Sequence, residues 1–404
     1  MHDGLVNIAI VVLIALASAL AMGRLKQPPA LGFILAGVVL GPSALGFVDN
    51  RETVDLLAEL GVLTLLFLIG TEMPTTSFRQ VWKPALSVAI GQVVLSLTIT
   101  ISFALIFDLP LATSIVLGFI VTLSSTAVVI KMLNTMNITA SPPGQIIVGI
   151  LVAQDLFFIP MMLVVGMLSQ AEPGIADVLR VIFSIALMVG LLFLLQRRGR
   201  IHLPLQEATS HNRELIIVRA VAMCFGAAAL SGLVGFSPAY GAFLIGIAVA
   251  HSDERQTMLN VVKPIETLLM MMFFLSIGLL IDFSYIASNW HRVLTALFIV
   301  TVLKTLLNIF LMRLVGEPWH HALIAGFLLA QIGEFSFLLS KAAEEGGLIT
   351  SEKSLLIITT TALSLTITPL WLSVARYGVR LSMTMTHGWP LILKSFNRSR
   401  EKSK

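Results

Sequence analysis

Apolar runs of bilayer-crossing length follow one another along almost this whole chain, separated by polar segments too short to fold alone. Of 404 residues, 57% are hydrophobic and only 12% are charged, where a water-soluble domain carries roughly 25% charged residues. Such a chain would leave too much apolar surface in water, so lipid is its expected solvent and an all-α membrane protein its expected class. About thirteen spans are predicted, at residues 5–22, 30–45, 54–70, 85–107, 111–133, 145–168, 178–195, 214–230, 237–250, 262–281, 293–314, 321–340 and 355–375. The 29 glycines suit close packing of membrane helices. A single cysteine, Cys224, gives no internal disulfide framework.

Charge placement orients the spans. With the amino terminus outside, the inner segments hold Arg24, Lys26, Arg79, Lys83, Lys131, Arg197, Arg198, Arg200, Arg213, Arg255, Lys263, Arg313 and a basic tail. The outer loops hold Arg51, Arg292 and Lys353, while Lys341 and Arg180 lie at outer helix ends, where long side chains can snorkel. That asymmetry follows the positive-inside rule and calls for an odd number of spans, with the carboxyl terminus in the cytoplasm. The tail (Lys394, Arg398, Arg400, Lys402, Lys404) reads as an inner-face or anionic-lipid feature rather than a nucleic-acid site. The first run lacks a basic n-region and a clear cleavage site, so it is expected to be retained. No soluble domain, phosphate-binding loop, paired-cysteine metal motif or nucleophile elbow is visible, which argues against an enzyme or ATP-driven pump and for a chain without cofactors.

Ionisable groups deep in apolar spans carry the functional information, because an unpaired charge there is costly. Asp155 lies mid-span beside Gln154, with Pro160 further on. A carboxylate in that position holds a proton or a bare cation but hardly both: desolvation disfavours its naked charge and a bound cation restores it. The bland reading is an aspartate satisfied by a neighbouring helix. Lys304, with Asn308 one turn on, pairs with Asp155, carries a proton, or neutralises the negative ends of half-helices. Glu334 follows Gly333, which suggests a broken helix where the acid compensates a positive half-helix end or sits near the ion path. Thr122, Ser124, Ser125 and Thr126 form a second polar interruption, in the fifth span. Hydroxyl and carbonyl oxygens satisfy unwound backbone and are natural ligands for hard cations; packing of small polar residues is the bland alternative.

The two interrupted spans, fifth and twelfth, are seven apart and so cross in opposite directions, as an inverted repeat with two crossed discontinuous helices requires. Other groups read more plainly. The pair His320 and His321 is expected to be solvated, and His251 with Asp253 and Glu254 to sit on a loop surface. The run Met270 to Met272 is expected to pack rather than bind a soft metal.

The chain also resembles the monovalent cation:proton antiporter-2 family, which includes the Kef-type potassium-efflux systems. The likeness rests on Pro29-Ala-Leu-Gly-Phe-Ile-Leu-Ala-Gly-Val-Val-Leu-Gly-Pro42, Leu60-Gly-Val-Leu-Thr-Leu-Leu-Phe-Leu-Ile-Gly70, Leu123-Ser-Ser-Thr-Ala127, Gln154-Asp155, Tyr240-Gly-Ala-Phe243, Phe273-Phe-Leu-Ser-Ile-Gly278 and Gly333-Glu-Phe335. It implies a bacterial inner-membrane homodimer with one transmembrane antiporter domain over residues 1–377 and a tail over 378–404. It further implies a mobile core at about 85–168 and 293–375, and a dimerisation scaffold at about 5–70 and 214–281. Asp155 would bind cation or proton in turn, helped by Gln154, Ser124, Ser125 and Thr126, with Lys304, Glu334 and Asn308 compensating charge or coupling protons. A glutamine before the aspartate resembles the potassium type, with sodium the second choice. The sequence stops before the nucleotide-binding regulatory domain usual in Kef proteins, so regulation of that kind carries over only if a separate cytosolic subunit provides it or the sequence is a truncated piece. The competing readings are a channel or uniporter, a divalent (iron) transporter, and a non-transporting sensor or scaffold. No resident metal is expected beyond the transported cation.

Overall fold

A computed structural model describes residues 2–25, 27–41, 44–47, 51–72, 81–170, 174–198, 201–209, 212–281 and 283–385. Lys26, Pro42, Arg79, Arg200, His211 and the basic residues from Lys394 onward lie outside the described residues. The elements in chain order are α1 (His2–Arg24), α2 (Pro29–Leu40), α3 (Arg51–Glu72), α4 (Trp82–Phe107), α5 (Leu111–Thr122), α6 (Thr126–Thr135), α7 (Pro142–Leu168), α8 (Ile175–Arg198), α9 (Gln206–Thr209), α10 (Arg213–Leu233), α11 (Pro238–Ala250), α12 (Arg255–Leu280), α13 (Phe283–Leu314), α14 (Trp319–Leu328), α15 (Phe335–Glu345) and α16 (Ser351–Met385). Among the described residues the only other regular feature is an isolated parallel bridge between Ile201 and Ser252.

Each predicted span corresponds to one helix, except that the fifth and twelfth are each split in two and that α9 is a short extra turn between α8 and α10. The two largest boundary differences from the prediction are ten residues each. Helix α13 starts at Phe283, before the predicted residue 293, and passes through a non-helical residue, Asn289 (φ −119°, ψ 21°). Helix α16 runs to Met385, so the first residues of the predicted tail are helical. Hydropathy marks the apolar part of a helix; polar extensions continue the hydrogen-bond ladder without a signal in that scale.

The chain forms two compact units. One takes the described residues within Met1–Ser77 and Ile159–Ala287. There α2 and α3 pack on α12, α3 also packs on α11, and α1 covers α2. The backbones of α2 and α12 touch: a Cβ placed on Gly37 would lie 2.8 Å from the Cα of Gly278 and closer still to the Leu275 carbonyl. This is the small-residue packing that the glycine content anticipates. Arg219 on α10, 4% exposed, forms an ion pair with Glu254. Arg255 donates to the carbonyls of Thr71 (2.8 Å) and Glu72 (3.0 Å) and so caps the carboxyl end of α3.

The other unit takes the described residues within Phe78–Phe158 and Ser288–Lys404. It contains two similar series: α4, the split pair α5 and α6, then α7 as far as Phe158; and α13 from Ser288, the split pair α14 and α15, then α16. Helix α5 packs on α4 and on α15, while α14 and α15 pack on α16. Phe158 and Phe335 stack at 4.5 Å between ring centroids, tying α7 to α15.

Candidate functional site: the crossing of two broken helices

Helix α5 stops because Leu123 and Ser125 adopt extended backbone (ψ 135° and 113°) in a run of hydroxyl residues. Inside a membrane protein the freed backbone groups need partners, and side chains and the other break supply several of them. The Thr122 carbonyl accepts from Gln154 Nε2 (3.0 Å), and the Ser124 amide donates to Gln154 Oε1 (3.0 Å). The Leu123 carbonyl accepts from Lys304 Nζ (2.7 Å) and from the amide of Gly333 (3.0 Å). Ser125 then caps α6, its hydroxyl accepting from the Val128 amide at 3.4 Å.

The second break, between Leu328 and Phe335, is satisfied in the same way. The Leu329 carbonyl accepts from Ser124 Oγ (2.9 Å) and Asn308 Nδ2 (3.3 Å). The Gln331 carbonyl accepts from Lys304 Nζ (2.8 Å), and the Ile332 amide donates to Ser364 Oγ (3.1 Å). Gly333 is required where the breaks touch, because a Cβ there would lie 2.7 Å from the Ser124 carbonyl carbon and oxygen.

Charges are distributed to match. Lys304, 3% exposed, donates to two carbonyls and to Ser124 Oγ (3.1 Å). An ammonium has three donors, so this set is complete without Asp155. The carbonyls belong to the chain just after α5 and α14, whose carboxyl ends carry partial negative charge. Glu334 is the N-cap residue of α15, and the Ser125 side chain hydrogen-bonds to it. Asp155, 8% exposed, accepts from Thr126 Oγ1 at both carboxylate oxygens, 3.2 and 3.1 Å. Thr126 is the first residue of α6, so the carboxylate stands at a helix amino end, where negative charge is favoured.

The structure therefore brings together Asp155, Gln154, Ser124, Ser125, Thr126, Lys304, Asn308 and Glu334, all within one unit. Two members escape the sequence reading. Gln92 on α4, 2% exposed, accepts from Gln154 Nε2 (2.8 Å) and donates to Asn308 Oδ1 (2.6 Å). Gln331, 2% exposed, keeps its side-chain oxygen buried without a donor among the described residues. An amide inside an apolar span is the signal that would have found both. The histidines fall elsewhere: His321 hydrogen-bonds to Glu317 (2.6 Å) and His251 to the Ile247 carbonyl (3.0 Å). Among the described residues no group of three His, Cys, Asp or Glu is placed to hold a metal ion.

Crossed broken helices of this kind, with ionisable groups at the crossing, define an antiporter-type secondary transporter. The chain belongs to the sodium/hydrogen exchanger transmembrane family, which it matches over residues 9–375. It is 42% identical over 388 residues to the iron transporter MagA of Paramagnetospirillum magneticum, covering 96% of this chain and 89% of that protein. It is 32% identical over 369 residues to K(+) efflux antiporter 4 of Arabidopsis thaliana, covering 90% of this chain and 62% of that longer protein. The sodium proton antiporter MjNhaP1 of Methanocaldococcus jannaschii superposes with a TM-score of 0.69 at 16% identity, over 92% of this chain and 98% of its own, and shares the fold.

Proposed function

We propose that this protein exchanges a monovalent cation for protons, potassium in preference to sodium, with Asp155 holding the cation and the proton in alternation. The observation that carries this reading is the Asp155 carboxylate against Thr126 at the amino end of a half-helix, beside two crossed breaks. A cation entering there would meet hydroxyl and carbonyl oxygens from Ser124, Ser125 and Thr126, the hard ligands an alkali ion prefers. Lys304 and Glu334 balance the half-helix ends. Gln154 in place of a second acid, together with plant relatives named as potassium efflux antiporters, supports potassium.

The same reading makes residues of about 85–168 and 293–375 the moving core and those of about 5–70 and 214–281 the scaffold of a homodimer. The compact unit that contains every site residue supports this assignment. The charge asymmetry of the loops supports a bacterial inner-membrane protein with its amino terminus outside.

The test is a proteoliposome assay with an internal proton-sensitive dye and voltage clamped by an ionophore. Pulses of potassium, sodium, lithium and ferrous iron are compared for wild type and Asp155→Asn. The expected result is a potassium-driven proton movement, smaller for sodium, that Asp155→Asn abolishes. Undiminished exchange in that variant would end the mechanism. A signal with ferrous iron alone would favour the second reading, divalent metal transport, for which the 42% identity to a protein named as an iron transporter speaks. Cation movement without proton movement would indicate a uniport pathway.

A further inference from the structure

Three buried amide side chains, from three helices, form a closed and directional circuit with the two breaks. The Ser124 amide donates to Gln154 Oε1 (3.0 Å), and Gln154 Nε2 donates to Gln92 Oε1 (2.8 Å). Gln92 Nε2 donates to Asn308 Oδ1 (2.6 Å), and Asn308 Nδ2 donates to the Leu329 carbonyl (3.3 Å). The Ser124 hydroxyl donates to the same carbonyl (2.9 Å), closing the ring. Gln92, Gln154 and Asn308 are 2%, 1% and 1% exposed.

The ends fix the direction. A backbone N–H only donates and a backbone carbonyl only accepts. An amide normally has two orientations that a hydrogen-bond network must decide between. Here reversing any one of the three would set donor against donor or oxygen against oxygen. The ring is thus neutral, has one polarity, and links the first break to the second through α7, α4 and α13.

We propose that Gln92 is a positioning residue for the exchange reaction, holding the two breaks at the separation the transported cation requires through this one-way amide ring. The proposal rests on the antiport reading above. It also assigns Gln154 a function distinct from direct ligation. Its oxygen takes the Ser124 amide, and its two N–H groups take Gln92 Oε1 and the Thr122 carbonyl (3.0 Å).

The donor inventory makes the idea testable with acidic isosteres. In Gln92→Glu a deprotonated carboxylate can accept from Gln154 but opposes Asn308 Oδ1 oxygen to oxygen. Once protonated it accepts one bond and donates one, which is all the ring asks of that position. Asn308→Asp follows the same rule, accepting from Gln92 and donating to Leu329. Gln154→Glu does not, because position 154 donates twice and a protonated carboxyl has a single O–H. Acid should therefore rescue the first two variants and not the third. The ionisable groups nearest the ring are Lys304, which donates to Ser124 Oγ, Asp155, next to Gln154, and Glu334 in the second break. The elements that carry the ring and the breaks also hold Lys83 on α4, Lys131 on α6, His291, Arg292 and Arg313 on α13, and His320 and His321 on α14. All of these are present in wild type and variants, so rates are compared with wild type at each pH.

The experiment measures initial cation-driven proton movement in proteoliposomes across acid and alkaline pH, cycling the same vesicles between the extremes. The expected Gln92→Glu rate approaches wild type in acid and falls about tenfold or more below it in alkali, reversibly, from a buried oxygen losing its donor. A ratio of one at every pH would overturn the proposal. So would a uniformly low ratio that acid does not restore, since that is the behaviour of a packing residue. Acid rescue of Gln154→Glu would refute the donor count. If Gln92→Glu is not recovered folded, Asn308→Asp is read by the same criteria; loss of folded protein in both would show the ring serving the fold alone. Exchange that survives Asp155→Asn sinks the antiport mechanism. Exchange lost in Asp155→Asn, with Gln92→Glu behaving as wild type throughout, sinks only the ring.

Discussion

The ammonium of Lys304 lies 2.7 Å from the carbonyl oxygen of Leu123, at the residue where α5 gives way to extended chain. The same nitrogen reaches the Gln331 carbonyl of the second break at 2.8 Å. One side chain thus closes the carboxyl ends of two half-helices. Lys304→Leu takes this donor from the Gln331 carbonyl in a dry interior, at about 1–3 kcal/mol, while the Leu123 carbonyl keeps the Gly333 amide. The expected result is a clear fall in the melting temperature of the purified protein in detergent, with Lys304→Gln intermediate. Melting unchanged in Lys304→Leu would show that the breaks are held by other contacts.

Thr126 donates one hydroxyl hydrogen to a carboxylate whose two oxygens are almost equally distant, 3.2 and 3.1 Å. Removing it in Thr126→Val should weaken the charged form of Asp155 by about 1.5–3 kcal/mol, the value of a hydrogen bond to an ionised group. Apparent cation affinity should then drop by roughly tenfold or more, while Thr126→Ser stays close to wild type. The check is the cation concentration giving half-maximal proton movement for the three proteins. Equal values would remove Thr126 from the site.

Gly333→Ala places a methyl group 2.7 Å from the Ser124 carbonyl group, backbone against backbone. Neither chain has a flexible end that can yield, so overpacking of about 1–3 kcal/mol is expected. Reduced recovery of monodisperse protein by size exclusion should accompany it. Gly166→Ala, where the added carbon meets nothing within 4 Å, is the control that should behave as wild type.

The spans, the two breaks and the acidic and basic residues are legible in the sequence for one physical reason. In an apolar solvent, charge and unwound backbone are so costly that they stand out from their surroundings. Asp155, Lys304 and Glu334 were legible on that ground. Which partner each takes was not. The periodicity of α13 places Lys304 and Asn308 on one face, but only the fold shows that this face meets backbone carbonyls of the two breaks. Gln92 and Gln331 were missed because an uncharged amide departs less from its apolar neighbours than a charge does. The long polar-ended helices α13 and α16 were cut short for a related reason: hydropathy reports solvent, and a helix can outlast its apolar segment.

In the other unit, Arg219 and Glu254 form an ion pair whose side chains are 2% and 12% exposed. Glu254→Gln strands a buried guanidinium, and loss of one partner from such a pair costs about 3–5 kcal/mol. Replacing both residues by leucine and glutamine should recover part of that loss. Thermal melts of the single and double variants check this, and a single variant as stable as wild type would show the pair to be dispensable.

Two partners of the first break are far away along the chain: Lys304 lies 181 residues beyond the carbonyl it holds, and the Ser124 hydroxyl waits 205 residues for the Leu329 carbonyl. During synthesis, therefore, the unwound stretch after α5 emerges into the bilayer long before its partners exist. It must be sheltered, stay helical, or remain near the headgroups until the second series of helices has been inserted. Insertion order is thus written into the crossing itself, and a nascent chain halted before residue 304 should have a first half that has not yet reached its final conformation.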